Sequence, residues 1–241
     1  MGKTAQRREN RGSEADAKTR QQELPVDIAY KKIKEMMYHH EIVPGQKLLY
    51  QELAKKLNMS NTPIIQALNR LQVMNIVYSE HNRGFYVGNA DPIEVDELFT
   101  AREALETFLI PEVIKNLTSD KVRELERAID EHVEAASVPE YRRLLMIKDT
   151  NFHLQIIKIA ENNVIYELSK MIFERIYLKY RPEYMREERL KEAAKEHRAI
   201  LQALKARDLR EARNLVRRHI RNGRDHIAGS LWEGREYEIE I

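Results

Sequence analysis

The sequence predicts a mainly α protein: an N-terminal winged helix-turn-helix (three helices plus a two-stranded wing), followed by an all-α helical bundle of about six or seven helices. Three observations carry this. Residues 50–87 hold two short helical runs separated by a turn, then two β-type runs around a polar turn ending in Gly. From Val95 to about Trp232 apolar residues recur at helical spacing, with no β-type alternation. The 42% apolar and 33% charged content, with mean hydropathy −0.63, describes a charge-covered helical protein with enough apolar residues for a core.

Residues 1–24 are polar and aperiodic and read as a disordered tail. Residues 25–89 form the expected head. Between Val26 and His40, the stripe Ile28, Ala29, Ile33, Met36 and Met37 predicts a supporting helix, and His39 and His40 suit its C-terminal dipole. Val43-Pro44-Gly45-Gln46 is a turn into the second helix, where Leu53, Ala54 and Leu57 make one small apolar face. Ser60 is expected to cap the third helix through its side-chain oxygen, with Pro63 in the first turn. Ile64, Ala67, Leu68 and Leu71 form its packed face. Ile76-Val77-Tyr78 and Phe85-Tyr86-Val87 are the wing strands, joined by Ser79 to Gly84.

Such a unit lays one helix in a DNA major groove and its wing along the backbone or minor groove. The expected base-reading residues are Asn61, Thr62, Gln66 and Asn69, with Ile65 packing or touching a thymine methyl. Lys55, Lys56 and Arg70 are expected on phosphates, together with Ser60 at the helix start and His81, Arg83 and Gly84 at the wing tip. Charge follows this division. Residues 25–89 carry eight Lys/Arg against five Asp/Glu, and residues 90–241 carry 27 against 30, within a net charge of +2.

The absence of cysteine excludes disulfides and thiolate metal sites. No apolar run approaches the ~18 residues of a membrane span, and the N-terminal cations precede no apolar stretch. The expectation is a cytoplasmic protein without a membrane partner.

Asn89-Ala90-Asp91-Pro92 marks a boundary, since the residue before proline avoids helical angles. Residues 90–93 read as a linker, 94–232 as a helical domain and 233–241 as a C-terminal tail. Helical runs are predicted around Val95–Leu109, Val122–Val133, Leu144–Ala160, Ile165–Tyr177, Leu190–Ala206 and Ala212–Ile227, with Pro182 as punctuation. There is no Gly-rich phosphate loop, nucleophile elbow or internal repeat.

Within the bundle, Asp149 and His153 lie four apart on one inward face, and His197 and His219 lie on the apolar sides of two later helices. Unpaired polar groups in such places are costly. A single histidine on an apolar face is more often a hydrogen-bonded core residue. For three histidines and a carboxylate together, a shared divalent ion is the alternative. The donor set suits Zn²⁺ first, with Ni²⁺, Mn²⁺ and Fe²⁺ not separated by it.

Two resemblances attach to these residues. Pro44-Gly45-Gln46-Lys47-Leu48, Leu53-Ala54, Ser60-Asn61-Thr62-Pro63-Ile64-Ile65-Gln66-Ala67-Leu68 and Arg83-Gly84-Phe85-Tyr86-Val87 resemble the head of GntR-type bacterial transcription regulators over roughly residues 27–88. Asn61 and Ile65 stand where that family usually has Arg, and Gln66 where it has Glu. The departure implies an operator richer in A·T or weaker DNA binding. Asp149-x-x-Phe152-His153, Ala160-x-x-Asn163, Glu196-His197-x-x-Ile200-Leu201-x-Ala203, Asp208, Ala212 and His219 resemble the FCD-type effector domain over about residues 94–232, with Arg102-x-x-Leu105-Glu106 like its opening motif. The resemblance implies that Asp149, His153, His197 and His219 hold a metal, that a small carboxylic acid binds it, and that Arg102 helps hold the acid. Arg102 could equally pair with Glu103 or Glu106, and Asn163 is expected to cap or orient.

Together these readings describe a homodimeric, ligand-responsive, DNA-binding transcription regulator of the FadR/FCD subfamily, and no enzyme. One rival is a metal-dependent hydrolase; against it, Glu196 is expected on another helix face, leaving no evident general base. The other rival is an adaptor that kept the fold without binding DNA.

Overall fold

A computed structural model describes residues 23–136, 142–180 and 186–236. The tail expected at 1–24 lies almost wholly outside the described residues, as do Pro182 and residues 237–241. Pro25 opens helix α1 (Pro25–Tyr38), where a missing amide hydrogen costs nothing. Strand β1 (Lys47–Leu48) follows, then α2 (Tyr50–Leu57), which ends on Asn58 in the left-handed region, φ 52°. Helix α3 (Asn61–Val73) ends in the same way, with Asn75 at φ 54° and the Ile76 amide returning to the Leu71 carbonyl. The hairpin β2 (Val77–Glu80) and β3 (Gly84–Val87) turns through Asn82 and Gly84, φ 59° and 99°.

The sheet has three strands in the order β1-β3-β2, not two. Lys47 faces Tyr86 and Leu48 faces Phe85, while Val77 faces Val87 and Glu80 faces Gly84. A two-residue strand is too short to show alternation, so β1 reads in the sequence only as turn. Glu80 and Gly84, expected in the turn, close the ladder.

Asp91 starts α4 (Pro92–Asn116), its carboxylate accepting from the Ile93 amide at 3.1 Å. Pro111 inside α4 leaves the Thr107 carbonyl without its helical donor. Arg213 Nε supplies one at 3.2 Å from α9 (Leu209–Glu236), whose helix runs past residue 232. Between them stand α5 (Ser119–Ala136), α6 (Arg142–Ile159), α7 (Asn163–Lys179) and α8 (Glu187–Lys205). The side chain that caps α7 is Asn162, accepting from the Ile165 amide at 3.0 Å; Asn163 is already the first helical residue.

Two apolar cores result. One gathers Ile33, Ile64, Leu68, Leu71, Ile76 and Val87 of the N-terminal elements; the other gathers Leu109, Leu125, Phe152, Ile157, Ile200 and Val216 of α4–α9. Leu178 of α7 belongs to the first. Beside it Tyr177 stacks on Tyr38 at 5.2 Å, and Lys34 pairs with Glu174. Helix α7 thus joins the two cores. No described helix is long and apolar enough to cross a membrane.

Candidate metal centre and nucleic-acid interface

Helix α6 presents Asp149 and His153 one turn apart, α8 presents His197 and α9 His219. The three rings are buried to 3% exposure or less, because each sits on the apolar stripe of its helix. Their Nε2 atoms converge: His153 to His219 at 2.9 Å and His197 to His219 at 3.3 Å. Asp149 Oδ1 lies 3.3 Å from His197 Nε2, and its Oδ2 lies 3.9 Å from His153 Nε2. One ligand atom from each of the four lies within 4.8 Å of the others.

The far ring nitrogens fix the tautomers. His153 Nδ1 is 2.7 Å from Glu106 Oε2, and His219 Nδ1 is 2.7 Å from Glu196 Oε2. An ionised carboxylate only accepts, so both Nδ1 atoms carry the proton, and in the neutral rings both Nε2 atoms present lone pairs. Two lone pairs at 2.9 Å make no hydrogen bond; a cation among them satisfies both. The cluster is therefore compatible with a divalent metal, with carboxylates orienting two of its imidazoles from behind.

The electrostatics agree. Burial would raise the Glu106 carboxyl, but His153 and Arg102 outweigh it and hold it at about 2. Glu196 is likewise held at about 2 against burial, by His219, Arg189 and Asn222. Burial also opposes ionisation of Asp149, yet the His197 hydrogen bond and the surrounding imidazoles bring it well below the usual carboxylate range. Burial is the chief cause that lowers His197 and His219 and keeps them neutral. Anionic carboxylate and neutral imidazole are the forms that ligate metal.

A cavity lined by Phe99, Arg102, Met146, Phe173, Arg189 and Ile220 reaches this cluster at Asp149 and His219. The Asp149 side chain keeps 25% exposure, so the open face of the cluster is on its side. Arg102 is buried, lies 4.3 Å over the Phe173 ring and donates from Nε to Glu106 at 3.0 Å. Of its two expected partners it takes Glu106, while Glu103 binds Arg217 and Arg221. Glu196, expected on another face, instead reaches across to α9. It accepts from Asn222 at 2.6 Å and pairs with Arg189 at 2.9 Å, so it serves His219 rather than acting as a base. Sequence reading missed Glu106 and Glu196 as orienting groups, and Arg189 and His132 as cavity residues. Glu106 was signalled by its spacing from Arg102. Arg189 carried no signal.

On the other core, α3 exposes Asn61, Thr62, Gln66, Asn69 and Arg70 and half-buries Ile65. Ser60 occupies the N-cap position but makes no side-chain cap bond, correcting the expectation. The third helical residue is Pro63, which has no amide hydrogen to donate to it. Lys55 is exposed; Lys56 pairs with Glu41 at 2.7 Å. Arg70 pairs with Asp27 at 2.5 Å and lies 4.8 Å over Tyr30, so α1 holds it in the free protein. His81, Arg83 and Gly84 are exposed together at the hairpin tip, with Arg83 3.3 Å from Glu80.

Residues 25–87 match the bacterial regulatory proteins, gntR family, and residues 97–222 match the FCD domain. The chain is similar to the uncharacterized HTH-type transcriptional regulator YdhC of Bacillus subtilis, 23% identical over 207 residues, 86% of this chain and 92% of that protein. It is 26% identical over 175 residues to the HTH-type transcriptional regulator McbR of Escherichia coli, covering 72% and 79% of the two. In fold it is similar to the solved structure of E. coli McbR/YncC, TM-score 0.74 at 23% identity, over 87% of this chain and 98% of that one. A putative GntR regulator from Rhodococcus sp. RHA1 gives 0.72 at 19% identity, over 85% and 97%.

Proposed function

The chain belongs to the gntR family of bacterial regulatory proteins, in the group that carries an FCD domain, and on that premise we propose that its helical part, residues 94–232, is a metal-containing sensor for a small carboxylic acid. The protein is a DNA-binding transcription regulator and not an enzyme. In this reading Asp149, His153, His197 and His219 hold the ion, zinc before nickel, manganese or iron. When bound, the ion supplies a Lewis acid for one oxygen of the effector carboxylate. Arg102 offers a guanidinium to the same ligand. Residues 25–89 are the DNA-binding head, with Lys55, Ser60, Asn61, Thr62, Gln66, Asn69 and Arg70 on the operator and His81, Arg83 and Gly84 on its flank. The protein works in the cytoplasm as a homodimer, so that two heads read two half-sites.

The observation that carries the reading is the convergence of three imidazole Nε2 atoms and the Asp149 carboxylate, with His153 and His219 oriented by buried carboxylates. A route to the head is supported by α7, where Phe173 and Ile176 line the cavity while Glu174 and Leu178 contact α1 and the first core. A coupling of ~1–3 kcal/mol suffices, since it changes operator affinity roughly 5–150-fold.

The test is metal content of the purified protein beside His197→Ala, followed by DNA binding with and without carboxylic acids. About one first-row ion per chain, lost in the variant, is expected. Equal metal-free results for both proteins overturn the metal reading. Bound metal with operator affinity indifferent to every acid overturns the switch.

A further inference from the structure

We propose that Tyr177 is the residue that couples the cavity beside the histidine cluster to the DNA-binding head, through its ring stack on Tyr38. The inference rests on the metal-containing sensor reading above and names the contact that carries its regulation.

Helix α7 offers its sides to different partners, because residues four apart share a face and adjacent ones do not. Phe173 and Ile176 line the cavity, Glu174 and Leu178 contact the head, and Tyr177 does both. Phe173 lies under the Arg102 guanidinium at 4.3 Å and 5.8 Å, ring to ring, from His153, so it packs directly against a candidate metal ligand. One turn later comes Tyr177. Among the described partly buried side chains, it alone packs against both apolar cores. Its ring is stacked on Tyr38, the last residue of α1, with centroids 5.2 Å apart and planes at 22°. One ring therefore has the cavity on one side and the head on the other.

From α1 the contact continues to α3. Tyr30, Lys34 and Tyr38 stand four apart on one face of α1. Glu174 of α7 pairs with Lys34 at 2.5 Å and lies 3.5 Å from the Tyr30 hydroxyl. That hydroxyl donates to Met74 Sδ at 2.8 Å, at the C-cap of α3, and the Tyr30 ring carries the Arg70 guanidinium at 4.8 Å. Side chain by side chain, His153 is joined to α3 without passing through the linker. The stack is also the place where this path can yield. The Tyr177 hydroxyl is buried and has no hydrogen-bond partner among the described residues, so packing alone fixes the ring. On either side of it stands a close-packed core, which passes a displacement on rather than absorbing it. A shift of Phe173 with His153 is therefore taken up where Tyr177 meets Tyr38.

The experiment is hydrogen–deuterium exchange, read by mass spectrometry, on the full-length chelator-treated protein with and without added zinc, in wild type, Tyr38→Leu and Tyr38→Phe. Tyr38 does not line the cavity, so these variants leave the candidate ligands in place. Zinc is expected to slow exchange in α6, α8 and α9 of all three proteins. In wild type, and in Tyr38→Phe, which keeps the stack, it also slows exchange across residues 25–38 by about fivefold or more, the lower end of coupling between distinct sites. In Tyr38→Leu the response of residues 25–38 is lost. Should Tyr38→Leu fail to fold, Tyr177→Leu removes the same stack from the other side, with metal content checked, and the same loss is expected. Zinc protection of α6, α8 and α9 with none at residues 25–38 of the wild type, or with equal protection there in the Leu variant, overturns the inference alone. No protection of α6, α8 and α9 in the wild type overturns the metal reading along with it.

Discussion

Replacing Glu106 with Gln tests the orienting chain behind the metal ligands with almost no change of volume. Glu106 is 3% exposed, accepts from Arg102 Nε at 3.0 Å and faces His153 Nδ1 at 2.7 Å. Its two donors hold the carboxyl at about 2 against an ordinary 4.5, which corresponds to about 3 kcal/mol of stability at neutral pH. The amide of Gln accepts on one side only and turns an NH₂ toward the other donor, leaving the Arg102 charge buried without its counter-ion. Breaking a buried pair in this way costs ~3–5 kcal/mol, the same order as the figure from the shifted carboxyl. For a chain of this length, 3 kcal/mol lowers Tm by about 6–12 °C. With His153 no longer held by a carboxylate, metal affinity is expected to fall ~10–100-fold. Scanning calorimetry of the chelator-treated proteins reads the first effect, and competition against a chromophoric chelator reads the second. A Tm within about 2 °C of wild type together with unchanged metal affinity would refute the argument that Glu106 links Arg102 to His153.

Three further outcomes are expected. The metal-free protein loses stability as pH falls through 6.5: the unfolded chain protonates His197 and His219 there, whereas burial keeps them neutral in the fold. Glu106 and Glu196 extend the loss between about 4.5 and 2, and a urea midpoint unchanged from pH 8 to pH 5 contradicts this assignment. Gly88→Ala puts a Cβ 2.6 Å from Lys179 Cε, and Lys179 is buried and paired with Glu94. A loss of ~1–3 kcal/mol is expected, and it should shrink in a Lys179→Ala background; an additive double mutant removes the clash as its cause. In fluorescence anisotropy at several salt concentrations, Lys55→Ala should lower the salt slope by about one, while Gln66→Ala should change sequence preference at constant slope. The reverse pattern exchanges their roles as phosphate and base contacts.

The sequence alone determined which residues could be buried together. Helical spacing put Asp149 beside His153 and set His197 and His219 on apolar stripes, because a helix repeats every 3.6 residues whatever it packs against. The same local logic located α2, α3 and the hairpin, whose ends are marked by Asn58, Asn75 and Gly84. Only the tertiary structure decided what those side chains meet. Strand β1 becomes a strand solely by pairing with β3. Arg70 lies against Asp27, 43 residues away, and Glu196 serves His219 on the next helix. Arg189 and Arg102 share a cavity because α8 and α4 pack in one bundle. Spacing along a chain specifies a face, but hydrogen bonds and charge pairs across helices depend on which faces the packing brings together.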